Sequence, residues 1–247
     1  LTVTNGLTLN GTATLGAGTS YGVLKFTGTQ TLGGTGTVVF GDSSTNSAMA
    51  PYNSGSTLTI GPGITVRGGT GTIGLAWLSN SLNVSVVNQG TIQGDTAGRN
   101  INVAASSPGS WSNEGTIEAR GGRGVLSGPW TNTGALGVSS GGTLDVGGSW
   151  SNPNRVTADT GTVNFTSSLT LTGRVLELDG TGSFRVASST VTGGTVRTLN
   201  GAKLGASGGT ATLDGVTVEG ELDLSSNNIL TVTNGLTLNG TATLGAG

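Results

Sequence analysis

Cysteine and histidine are both absent from the 247 residues. That excludes disulfides and thiol chemistry, and it removes the Cys/His clusters from which most zinc sites are built. Charge is scarce as well: 9% of residues are Asp, Glu, Lys or Arg, against about 25% in an average soluble domain. The formal net charge of −2 comes with no basic stripe, so nucleic acid is not an expected partner. Proline is rare (5) and glycine abundant (48) without a three-residue period, which rules out a collagen helix. No apolar run approaches the ~18 residues of a membrane helix, so no membrane span is expected in this stretch. Bulky apolar residues are few and evenly spread. They suit a thin core shared between stacked layers better than one large globular core.

What the chain does have is repetition. Residues 1–18 read LTVTNGLTLNGTATLGAG, and residues 230–247 repeat them letter for letter, an offset of 229. Self-similarity at a fixed period is the signature of solenoids and arrays. Residues 1–229 are therefore expected to form one complete solenoid repeat, and residues 230–247 the start of the next, in a window taken from a longer tandem array.

Within the repeat, short segments alternate apolar residues with Thr or a charge: T-L-T-I at 57–60, T-V-N-F at 162–165, V-L-E-L at 175–178 and E-L-D-L at 221–224. Period two bounded by Gly, Asn and Ser reads as strands throughout. Only residues 75–82 look helical, and they are too short and too Ser/Asn-rich for a stable helix. Strands this short need layering. The phrases V-V-N-Q-G-T-I (86–92), W-S-N-E-G-T-I (111–117), W-T-N-T-G-A-L (130–136) and W-S-N-P-N-R-V (150–156) show how it is achieved. Their asparagines, Asn88, Asn113, Asn132 and Asn152, are spaced 25, 19 and 20 residues apart. A step near 20 is one turn of a parallel β-solenoid, each turn resting on the last at about 4.8 Å. At that step the unit holds roughly eleven turns, or about 50 Å of rod.

The Asn-x-Gly phrase predicts tight corners, because Asn and Gly both tolerate left-handed backbone. Stacked corners predict an amide ladder of asparagines beside Gly90, Gly115 and Gly134. Trp111, Trp130 and Trp150 stand two residues before successive asparagines, so the indoles should stack. Extra residues at 104–110 and the longer insertion at 41–56 are expected to bulge from the rod as lateral loops.

The W-[ST]-N-x-G phrases resemble bacterial autotransporter and filamentous-haemagglutinin-like surface proteins. So do T-L-T-I-G-P-G-I-T-V-R-G at 57–68 and T-A-T-L-D-G-V-T-V-E-G-E-L-D-L at 210–224. The resemblance implies an all-β, right-handed parallel β-helix, located outside the cell or on its surface, working as an adhesin, stalk or passenger.

Each feature that suggests a function also has a structural explanation. The Trp column could offer sugars a stacking platform, but indoles in a solenoid more often fill the core. Glu177 with Asp179, and Glu219, Glu221 and Asp223, are the densest acids and could be read as a glycosidase pair. Their alternation with Leu marks a wet face instead. The T-x-T phrases invite an ice-binding reading, but 80–155 holds only Thr131-Asn132-Thr133, so outward threonines chosen for β-propensity explain them better. The acids also lack the dense G-G-x-G-x-D pattern of calcium-binding β-rolls.

The expected protein is thus a non-enzymatic structural fibre or stalk. It needs no cofactor or metal, and its partners are neighbouring repeats of its own chain, with lateral or end-to-end self-association. The asparagines, tryptophans and glycines named above serve structural roles. The alternative is a cell-surface adhesin presenting the 41–56 and 104–110 loops to glycans or other cells. A polysaccharide-degrading β-helix ranks third. The gene should continue Thr-Ser-Tyr after Gly247, as the chain does after Gly18; DNA sequencing across that point checks this, and an immediate stop codon or an unrelated sequence would refute the array.

Overall fold

Alternating short strands and Gly/Asn/Ser corners fold into a parallel β-solenoid of about ten turns. The computed structural model describes residues 1–41, 47–74, 83–105, 107–226 and 228–245. The segment 75–82, read above as weakly helical, lies outside the described residues, and among these there is no helix.

Each turn contributes three strands, and each strand pairs in parallel with its counterpart one turn before and one turn after. The first face begins with Thr2–Val3, Val23–Phe26 and Ser47–Pro51 and runs on to Lys203–Ser207. The second begins with Leu7–Thr8, Gln30–Gly33 and Ser56–Ile60 and reaches Pro129–Asn132 and Ser149–Trp150. The third begins with Thr12–Leu15, Thr37–Phe40 and Thr65–Gly68 and runs to Val175–Asp179 and Thr195–Leu199. Near the end, single long strands turn the corners unbroken: Ala211–Leu224 pairs with Leu230–Leu244 along nearly their whole length. The second-face ladder lapses once, between Ser149–Trp150 and Leu169–Thr170.

Period-two alternation places one side of every strand inside. On the third face Val38, Val66, Ile92, Ile117 and Leu136 stack in register, and each is essentially inaccessible to solvent. Such columns merge into one hydrophobic core running from Val3 to Leu222. A continuous thin core of this kind supplies burial that no single turn could achieve alone.

Two expectations need correction. The turns are not uniform: Gly71 pairs with Ile101, a step of 30 residues, whereas Lys203 pairs with Glu221, a step of 18. Long corners in the first half lower the count from eleven to about ten. The insertion at 41–56 is also not wholly a lateral loop. Residues 42–46 lie outside the described residues, but Ser47–Pro51 is a first-face strand, buried at all five positions. Met49 points into the core, while Ala48 and Ala50 make a small separate apolar cluster with Val23. With both sides of the strand covered, its sequence lacks the alternation by which a half-wet strand is recognised. In the other expected loop, Asn100–Ala104 is a strand and Ala105 is buried, so the departure from the rod is confined to the few residues before Trp111.

Candidate functional site

The densest set of specific contacts lies where the second face turns into the third. Here Trp111, Ser112 and Asn113 pair in register with Trp130, Thr131 and Asn132, and Trp130 pairs with Trp150. In-register stacking brings each indole over the next. The ring centroids are 4.6 Å apart for Trp111 and Trp130 and 4.8 Å for Trp130 and Trp150, with planes 2° and 10° from parallel. The spacing is that of the strands themselves. The Nε1–H of Trp111 donates to the Ser127 carbonyl (2.8 Å) and that of Trp130 to the Gly147 carbonyl (2.9 Å). All three rings are buried, and each covers its neighbour's face, which leaves no platform for a sugar.

Beside them runs the amide ladder. Asn88 Nδ2 donates to Asn113 Oδ1, and Asn113 Nδ2 to Asn132 Oδ1, both at 2.7 Å. All three side chains are buried. Each also reaches the carbonyl of the glycine two residues on, Gly90, Gly115 or Gly134, so the side chain braces the corner it precedes. Asn152 leaves this column. Its Oδ1 accepts from the backbone N–H of Asn132 and its Nδ2 donates to the Asn132 carbonyl, while Asn154 Oδ1 accepts from Asn132 Nδ2. Pro153, between them, has no N–H and a fixed φ, which prevents the usual strand continuation.

The corner glycines act for a reason different from the one the sequence suggested. Gly90, Gly115 and Gly134 are not in the left-handed region. Close approach requires them: a Cβ on Gly115 would stand 2.1 Å from the Gly90 carbonyl oxygen, and one on Gly134 would stand 2.0 Å from that of Gly115. Glycine thus stacks on glycine because the corners nest too tightly for a side chain.

The acids read above as a conceivable catalytic pair are held in ion pairs on the outside of the rod, Glu177, Asp179 and Glu219 on the third face and Glu221 and Asp223 on the first. Arg155, Glu177, Arg197 and Glu219 are register partners on four successive turns, giving an alternating column of charge. Arg197 lies 2.7 Å from Glu219 and 3.4 Å from Glu177, and Arg155 lies 3.8 Å from Glu177. Arg155 also pairs with Asp179, which accepts from Asn200 Nδ2 (2.6 Å). The bond from Asn200, then the Arg155 guanidinium, hold the Asp179 carboxyl below its ordinary range. Glu221 and Asp223 both face Lys203. A bond to Ser225, with Lys203 assisting, lowers Asp223 likewise. Arg123 pairs with the buried Asp145, which also accepts from Asn164 Nδ2 (2.9 Å). The charge column was legible in principle, since its members are spaced 22, 20 and 22 residues apart, close to the turn length.

Five outward threonines, Thr12, Thr37, Thr65, Thr91 and Thr116, do stack on the third face. Their neighbouring column, however, is Thr14, Val39, Arg67, Gln93 and Glu118, a mixed and charged file unlike a flat threonine array. Among the described residues no group of three acidic side chains is placed to hold a metal ion. Comparison with known proteins gives no neighbour: no family model, no curated protein and no solved structure matches the chain.

Gly115→Ala should destabilise the rod by about 1–3 kcal/mol, since backbone must move to admit the methyl. Gly209→Ala, where a Cβ would meet nothing within 4 Å, should be close to neutral; urea denaturation compares the two. Acid should weaken the fold through Asp179. Because its folded pKa lies below the unfolded value of about 3.9, the contribution is present above that value and lost as pH falls through the folded pKa. Denaturation midpoints at neutral and acid pH should therefore differ less in Asp179→Asn than in the parent chain.

Proposed function

We propose that the chain is a non-enzymatic structural protein, a segment of an extracellular fibre or stalk built from tandem β-solenoid repeats. The observation that carries this reading is one core running from Val3 to Leu222, with the first-face and third-face ladders unbroken along its length. Within that rod, the most elaborate contacts serve cohesion between turns. The indoles cover one another, the amides bond along the axis, and the clustered acids are engaged by arginine and lysine. The residues that hold the rod together are Trp111, Trp130, Trp150, Asn88, Asn113 and Asn132, with Gly90, Gly115 and Gly134 permitting their approach.

The resemblance of the W-[ST]-N-x-G phrases to autotransporter and haemagglutinin-like surface proteins supports an extracellular or cell-surface location. The low charge content, 9% of residues with a formal net charge of −2, favours lateral packing of rods over repulsion between them. Electron microscopy of the native material tests this reading. Long unbranched filaments with an axial repeat near 50 Å, about ten turns at the strand spacing, are expected. Compact particles that bind a glycan array would instead favour a surface adhesin, and release of reducing sugar from a polysaccharide panel would favour an enzyme.

A further inference from the structure

The segment that occurs twice occupies two different positions around the rod. In residues 1–15, Thr2–Val3 lies on the first face, Leu7–Thr8 on the second and Thr12–Leu15 on the third. In the second occurrence, Leu230–Leu244, the same residues are displaced by one face. Residues 230–233 continue the second-face column through Thr190–Thr192 and 211–214. Residues 236–239 continue the third through Thr195–Leu199 and 216–219. Residues 241–242 continue the first through Lys203–Ser207 and 221–222. From Thr2 the chain completes ten turns when it returns to the first face at Glu221 and Leu222, and Thr231 lies one face further on.

We infer that the 229-residue unit advances the solenoid by about ten and a third turns. Successive units in an array then present every surface feature one face further round, returning to the same face at every third unit. This rests on the tandem reading proposed above.

The chemistry of the duplicated segment permits the shift. Its apolar residues fall at alternate positions, Val3, Leu7, Leu9, Ala13 and Leu15, and its corners fall at Asn5-Gly6 and Asn10-Gly11. Three short strands joined by two corners amount to one turn whichever face they start from. The same alternation appears in the second copy, where Val232, Leu236, Leu238, Ala242 and Leu244 sit over Leu213, Val216, Val218, Leu222 and Leu224.

The structure also contains both partners of the joint. Residues 211–224 stack beneath the second copy, and residues 23–40 stack above the first. The open side of Leu230–Leu244 therefore fits one occupant, residues 23–40 of the following unit. The effect of that cover can be read from identical residues. Leu15, beneath Phe40, is 8% exposed, whereas Leu244, with no described strand above it, is 71% exposed. Val3, beneath Phe26, is 7% exposed against 45% for Val232. A joint made this way buries apolar side chains and leaves no unpaired strand edge between units.

Paired cysteines in the chain as it stands test the phase, aided by the absence of native thiols. Register partners on adjacent turns lie about 4.8 Å apart, inside the span of a disulfide. Thr212→Cys with Thr231→Cys, and separately Thr217→Cys with Thr237→Cys, should lose both free thiols on mild oxidation. Glu221→Cys with Thr231→Cys should keep them. A whole-turn unit would place Thr231 on the first face with Glu221, so oxidation of that pair overturns the inference. So does failure of both predicted pairs in protein that retains its β-sheet circular dichroism. The disulfides report the phase of this chain, and filament microscopy reports the array, so the two readings fail separately.

Discussion

The parallel hydrogen-bonded ladder at a fixed spacing is the constraint on which everything else in this molecule depends. It forces each residue to lie over its counterpart one turn away, so side-chain chemistry is decided between like positions. Aromatic rings must stack face to face at the ladder's own distance, as Trp111, Trp130 and Trp150 do. Amides can pass a hydrogen bond along the axis, as Asn88, Asn113 and Asn132 do. Where two corners come within contact of each other's carbonyls, as at Gly115 and Gly134, the position must carry no side chain.

Ionised side chains face the same rule with a different answer. A column of like charges at this spacing would repel, so signs must alternate along the axis or be diluted by neutral residues. The third face uses alternation, with Arg155, Glu177, Arg197 and Glu219 in succession. The exposed pairs in it add little stability one by one, but they restrict register. A slip by one turn would place Arg over Arg and Glu over Glu. Apolar columns alone, with Val, Ile and Leu interchangeable, would tolerate such a slip more readily.

The fold was legible because its period is written in large, rare residues. Tryptophan followed by Asn-x-Gly, at steps near 20, announces stacked turns before any strand is assigned. The indole stack and the first three amide rungs follow from those phrases alone. The charge column was harder to read because its members stand in unlike local phrases, and only their spacing connects them. Ser47–Pro51 escaped for the opposite reason: covered on both sides, it has no alternation to display. The corner glycines were located from sequence but given the wrong cause, since close approach between turns is a property of the stack and leaves no mark on the local phrase. Asn152 marks the limit of reading by motif, because Pro153 alters the backbone at a point where the letters still match.

The lapse in the second-face ladder after Ser149–Trp150 has a mechanical consequence. Along most of the rod, a load applied at the ends is shared by three parallel seams of backbone hydrogen bonds. At this level it passes through two. Trp150 lies there as the last indole of its stack, its buried N–H without an acceptor among the described residues. Tension should therefore concentrate at this level, making it the place where the rod bends or parts first. In a filament of many units such yielding points would recur at regular intervals, and the whole would stretch by opening in sequence rather than fracture at a single chance defect.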